Sequence, residues 1–207
     1  MIIDVLDQAW RAWAELGSSL DETRWQRPTR LPSWTVKDVY AHHSGFPAAT
    51  GAALDAPETK GQVTHNDAAE LLAFMQQSGG VAEQTADLLR DQATEQAAAT
   101  STGELVTQFT EVAPKVVAAL RGADLNQRVD YGGVAVVPAG EALRIFVMEA
   151  VVHYFDMATA LDLPVPGPME GEPLRETVHL LAATADPVAF VDAATGRGTP
   201  DIFPIMR

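Results

Sequence analysis

The run Ala139-Gly-Glu-Ala-Leu-Arg144-Ile-Phe-Val-Met-Glu149-Ala-Val-Val-His153-Tyr-Phe-Asp156-Met-Ala-Thr-Ala-Leu161 decides the fold. Leu143, Phe146, Val147, Ala150, Met157 and Leu161 recur at the helical period and face inward, and Pro164, Pro166 and Pro168 forbid continuation. Turning at about 100° per residue, Glu149, His153 and Asp156 fall within about 60° of one another. They form one polar stripe at the border of the apolar face, where a carboxylate and an imidazole one turn apart can reach a common metal while the helix packs. A lone Glu-x-x-x-His is a short motif that matches often, and by itself it favours an exposed Glu hydrogen-bonded to a His over a metal site.

Outward from this helix the pattern stays helical. Leu6, Ala9, Trp10, Trp13, Leu16 and Leu20 mark a first helix over 3–20. Residues 21–34 carry Pro28 and Pro32 and read as a loop. Thr35-Val-Lys-Asp38 reads as a capping box that starts a second helix, running to about Thr50. After a polar loop to His65, Thr64 or Asn66 is expected to cap a third helical pattern, interrupted by Gly79-Gly80 and continuing to about Ala99. Leu105, Phe109, Val112, Val116 and Leu120 make a clean stripe over 102–121, stopped by Gly122. The segment 130–138, Asp-Tyr-Gly-Gly-Val-Ala-Val-Val-Pro, has the composition of a strand pair or an ordered loop, and is expected to be a loop. Helices over 172–185 and from Asp186-Pro187 to Gly196 complete the chain. Four main helices with connections of unequal length predict an all-α fold, a four-helix bundle with long crossovers over 1–165 and a short helical extension over 166–207.

Composition narrows the function. With 14 Lys plus Arg against 28 Asp plus Glu, the net charge of -14 repels phosphate backbones and anionic headgroups. No nucleic-acid or membrane partner is expected. No apolar run is long enough for a bilayer, and Met1-Ile2-Ile3-Asp4 lacks the basic start of a signal peptide, so the expected location is cytoplasmic. The absence of cysteine removes disulfides, thiolate ligands and a cysteine nucleophile, and any sulfur chemistry needs a thiol from outside.

The second helix brings His42 and His43. Helical phase places His43 inward with Val36, Val39 and Tyr40, and His42 at the edge of that face near Phe46. Phase alone therefore favours His43 as a core residue, and leaves ligation open against buried or solvated histidines. His65 in a loop and His179 in a late helix have no visible partner.

The run Arg30-Leu-Pro-Ser-Trp-Thr-Val-Lys-Asp-Val-Tyr-Ala-His42 resembles the lead-in to the second helix of mycothiol-dependent maleylpyruvate isomerases and their relatives in the DinB-like superfamily. Arg24-Trp25 and Pro28-Thr29 before it, and Glu141-Ala-Leu-Arg144, Glu149, His153 and Asp156 late in the chain, extend the resemblance over about residues 1–165. It implies a divalent metal, zinc first and nickel second, held by His42, Glu149 and His153, with His43 left as a core or pocket-wall residue. It also implies a mycothiol-type thiol cosubstrate that attacks an electrophilic small molecule, giving isomerisation or S-transfer. Asp156 would orient a ligand imidazole, and Arg144 would pair with a substrate carboxylate, although an interhelical ion pair explains either residue as well. Full-length isomerases of this family have a sizeable second domain, where 166–207 is expected to supply only a helix or two. A hydrolase using metal-bound water and a non-catalytic metal-binding module fit the same ligands. A monomer or a homodimer is expected.

Overall fold

The computed structural model describes residues 1–198 together with 202, 204 and 205. The bundle consists of α1 (Ile2–Ser19), α3 (Val36–Asp55), α8 (Ala139–Ala160) and a rod made of α6 (Thr102–Thr107), a π turn (Gln108–Val112) and α7 (Ala113–Leu120). Around it lie the single turn α2 (Glu22–Trp25), α4 (Ala68–Met75), α5 (Val81–Ala99), α9 (Glu172–Thr184), α10 (Pro187–Thr195) and the strands β1 (Arg128–Tyr131) and β2 (Ala135–Pro138). The fold is the expected helical bundle of the DinB-like type, with one two-stranded sheet added. No described helix is long and apolar enough to cross a membrane.

α1 packs on α8 and α7, while α3 packs on α8, α7 and α5. Trp10, Trp13, Tyr40, Phe109, Val147 and Met157 are buried together at the centre. The large rings are also polar anchors. Trp13 donates its indole N–H to the Ala150 carbonyl at 3.0 Å, and the Tyr40 hydroxyl donates to the Trp13 carbonyl at 3.0 Å, so α1 is fixed to both α8 and α3. Gly17 makes that approach feasible, because a Cβ there would meet the Tyr40 ring and hydroxyl at 2.4–2.8 Å. A second core gathers Leu71, Leu72, Val137, Ile145, Met148 and Leu180 from α4, β2, α8 and α9.

Four expectations need correction. Residues 130–138 are not a loop: β1 and β2 pair antiparallel with Val129 opposite Val137, and Val134 donates to the Tyr131 carbonyl at 3.1 Å across Gly132 and Gly133. Both glycines have positive φ, as a two-residue hairpin turn requires. The strands are stabilised by burying Ala135 and Val137 beside α8, and by Thr64, whose backbone and hydroxyl bond to Val136. Thr64 is thus taken up by the hairpin, and Asp67 rather than Thr64 or Asn66 caps α4, its carboxylate accepting from the Glu70 N–H at 2.8 Å. The rod over 102–121 is not one regular helix either, since its π turn ends two residues before Pro114, which has no N–H to offer the carbonyl four residues back. α2 falls inside the segment expected to be loop. The end of the extension expected over 166–207 lies outside the described residues from 199 on, except for 202, 204 and 205.

Candidate metal centre

The start of α3 is set by the capping box that the sequence shows. Asp38 accepts from the Thr35 N–H at 2.7 Å and the Thr35 hydroxyl accepts from the Asp38 N–H at 3.3 Å. From that start His42 and His43 point to different environments. His43 is fully buried, its ring stacked 5.8 Å from Phe109 and packed 4.4 Å from Trp13 and 4.6 Å from Phe46. Neither of its ring nitrogens has a partner among the described residues. His42 lies on the side of α3 that meets α8, with its ring 5.1 Å from that of His153 and 5.3 Å from that of Trp34.

On α8, Glu149 and His153 are one turn apart, and Glu149 Oε2 lies 3.3 Å from His153 Nε2. One ligand atom from each of His42, Glu149 and His153 falls within 4.8 Å of the others. The other nitrogen of His153, Nδ1, sits 3.0 Å from Asp156 Oδ2. Asp156 is 2% exposed, and Arg30 donates its Nε–H to Oδ1 at 2.6 Å. Its carboxyl is held below the usual range: burial opposes ionisation, but the hydrogen bonds from His153 and Arg30 outweigh it. An ionised Asp156 only accepts, so Nδ1 of His153 carries the proton and Nε2 is the nitrogen turned to the centre. This is the outer support expected of a ligand imidazole.

Electrostatics separate the two histidines. Burial pushes the His42 imidazole down to about 4, with the nearby His153 adding to the effect, so His42 is neutral at pH 7. Burial also works against the His153 imidazolium, but hydrogen bonds to Asp156 and Glu149 and their charges push it up to about 9. Glu149 is held below its usual value, since His153 and His42 overcome the burial that disfavours its charge. Two imidazoles and one carboxylate make a donor set suited to a borderline divalent ion, and they leave coordination positions open.

A cavity of about 570 Å³ opens beside the centre, with His42 and Glu149 in its wall. Phe46, Leu54, Met75, Leu120, Val129 and Phe146 supply much of the remaining lining. Tyr131 also faces this cavity, its phenol held protonated far above its usual range by burial and by the charge of Glu149.

Arg144 is not brought to the centre. Its guanidinium donates to Glu176 at 2.5 Å and to Glu141 at 3.2 Å, bracing α8 against α9, and it does not line the cavity. His65 rests against Thr64 and Phe74, and His179 is exposed. The sequence reading missed the role of Arg30, Trp34 and Tyr131. Arg30 and Trp34 stand inside the quoted 30–42 run, but nothing in one sequence pairs Arg30 with a carboxylate 126 residues away. Tyr131 was hidden by the expected loop.

Fold and site together define a class, a DinB-like helical bundle carrying a His-Glu-His candidate metal centre between two of its helices. The profile of the mycothiol maleylpyruvate isomerase N-terminal domain matches residues 6–158, and the chain belongs to that family. No curated protein matches the chain. No solved structure matches it either.

Proposed function

We propose that this protein is a divalent-metal-dependent enzyme that uses a low-molecular-weight thiol of the mycothiol type to isomerise, or transfer sulfur to, an electrophilic small molecule. The observation that carries the reading is the convergence of His42, Glu149 and His153 beside an apolar cavity that His42 and Glu149 line. Family membership supports the thiol, and the absence of cysteine from the chain requires it to be external. A cation held there would lower the pKa of a thiol at its open position, zinc being the first choice and nickel the second.

The chain's own residues prepare that chemistry. Asp156, fixed by Arg30, holds the His153 ring so that Nε2 faces the centre. His42, neutral at pH 7, offers a lone pair without first losing a proton. Glu149 keeps its charge despite burial, and so balances part of the ion's charge. The apolar walls exclude water from a reacting electrophile.

Elemental analysis of untagged protein reconstituted with zinc is expected to give about one ion per chain. In a screen of maleylpyruvate-like, epoxide and haloalkyl electrophiles, turnover of those accepted is expected to saturate with thiol concentration and to vanish in Glu149→Gln, which keeps the size but removes the charge. Thiol-independent cleavage of esters or amides moves the assignment to a metal hydrolase. A bound metal with no turnover leaves a binding module.

A further inference from the structure

We infer that the cavity beside the candidate metal centre selects an uncharged, largely apolar electrophile and rejects one that carries a carboxylate. This rests on the thiol-dependent reading and adds the substrate class. The volume of about 570 Å³ suits a small organic molecule with a body of one or two rings. Its wall is largely apolar on α3, α7, β1 and α8, and the charged side chains that line it are both acidic, Glu149 and the exposed Asp130 at the rim, His42 being neutral at pH 7. No Lys or Arg of the described residues lines it.

The cations nearest in sequence to the lining residues and the centre are already engaged. Arg128, next to the lining Val129, is bound to Glu58 at 2.8 Å and to the Gly61 carbonyl at 2.7 Å. Arg144, next to Leu143, is held by Glu141 and Glu176, and Arg30 is held by Asp156. On the proposed reading the thiolate and Glu149 together neutralise the divalent ion, so a carboxylate on the electrophile finds no uncompensated positive charge. It would lose its hydration against apolar walls, with Asp130 at the rim and a molecule of net charge -14 repelling its approach. Tyr131 supplies what a neutral ligand needs, a protonated phenol on the wall with no hydrogen-bond partner among the described residues, able to donate to one carbonyl or ether oxygen.

The test is equilibrium binding to the zinc-loaded chain saturated with a small uncharged thiol, read by the fluorescence of uncharged 2-naphthol and of naphthalene-2-carboxylate. The neutral probe is expected to bind about tenfold tighter or more. Ala53→Arg, which adds a cation to the wall, should shift the preference toward the carboxylate, and Asp130→Asn should narrow it. Equal or tighter binding of the carboxylate to the wild type overturns the inference, as does a preference that neither variant moves. Thiol-dependent turnover is measured separately. Selective neutral binding without it removes the enzymatic reading and leaves the cavity's selectivity standing.

Discussion

His42 and His43 share a peptide bond and little else. One nitrogen of His42 comes within 4.8 Å of ligand atoms on Glu149 and His153, while His43 is enclosed by Trp13, Phe46 and Phe109 with both nitrogens unpartnered. His42→Ala is therefore expected to lower zinc affinity by at least about tenfold, whereas His43→Leu leaves it unchanged. His43→Leu should also keep or raise the melting temperature, because it removes two buried polar atoms that have no partner at nearly constant volume. A zinc titration and a melting curve on both variants decide this, and a large affinity loss in His43→Leu would transfer the ligand role to His43. Helical phase placed His43 in the core and left ligation open, while the family resemblance implied His42 as the ligand. Phase was right that His43 faces the core, and the resemblance singled out the residue at the edge, where α8 is met. His153 adds a pH test of opposite signs. In the metal-free protein its pKa is raised from 6.5 to about 9, so the stability it contributes is full below pH 6.5 and is lost as the pH rises through 9. Zinc requires an unprotonated Nε2, so affinity should rise through that same window, by up to about tenfold per pH unit. Melting curves of the metal-free protein and zinc titrations from pH 6 to 9.5 check both directions, and parallel rather than opposed trends would remove His153 from the site.

Helices were legible from the sequence wherever one apolar stripe decided them, as with Trp10, Trp13 and Leu16 on α1 or Leu143, Val147 and Ala150 on α8. Caps made of adjacent residues were legible too: Thr35 with Asp38, and Asp186 accepting from the Ala189 N–H at 2.8 Å. What stayed hidden depended on distant partners. The hairpin exists because Thr64 and α8 flank it, and the Arg30–Asp156 pair joins the loop before α3 to α8. The contact between α1 and α3 was equally invisible, since Gly17 looks like an ordinary weak point in a helix until Tyr40 is seen against it. On propensity alone Gly17→Ala would be stabilising; packing predicts the reverse. The added carbon would have to displace a fully buried ring whose hydroxyl is bonded to Trp13, so the variant is expected to lose about 1–3 kcal/mol in a denaturant titration. Tyr40→Phe in the same chain should recover only part of that loss, because ring carbons remain at 2.7 and 2.8 Å from the new Cβ. A neutral or stabilising Gly17→Ala would mean that α1 and α3 lie farther apart than described.

At the scale of the whole molecule the open issue is where the cooperative unit ends. The sequence suggests a bundle over 1–165 with an extension packed on it, but the contacts divide the extension unequally. Met169, Pro173, Thr177 and Leu180 are buried, and Leu180 belongs to the second core with α4, β2 and α8. Gln8 of α1 donates to the carbonyls of Pro168 and Glu170, and Arg144 ties α8 to Glu176. α10, by contrast, buries none of its own residues, and Val188 and Val191 on it are exposed. A chain ending at 185 should therefore melt within a few degrees of the full protein and keep its zinc affinity. Ending it at 165 should be far more costly. Removing a fully buried Leu side chain alone costs about 2–5 kcal/mol, and this cut also strips the cover from Leu72 and from Ile145 and Met148 of α8, the helix that carries Glu149 and His153 on its neighbouring side. Against a typical stability margin of about 5–15 kcal/mol, the expected result is a protein that is insoluble or unfolded and binds no zinc stoichiometrically. The decisive comparison is circular dichroism melting and zinc stoichiometry of the two truncations side by side. A soluble, cooperative, zinc-binding 1–165 fragment would show that the bundle closes its core without α9, and that the extension is an appendage after all.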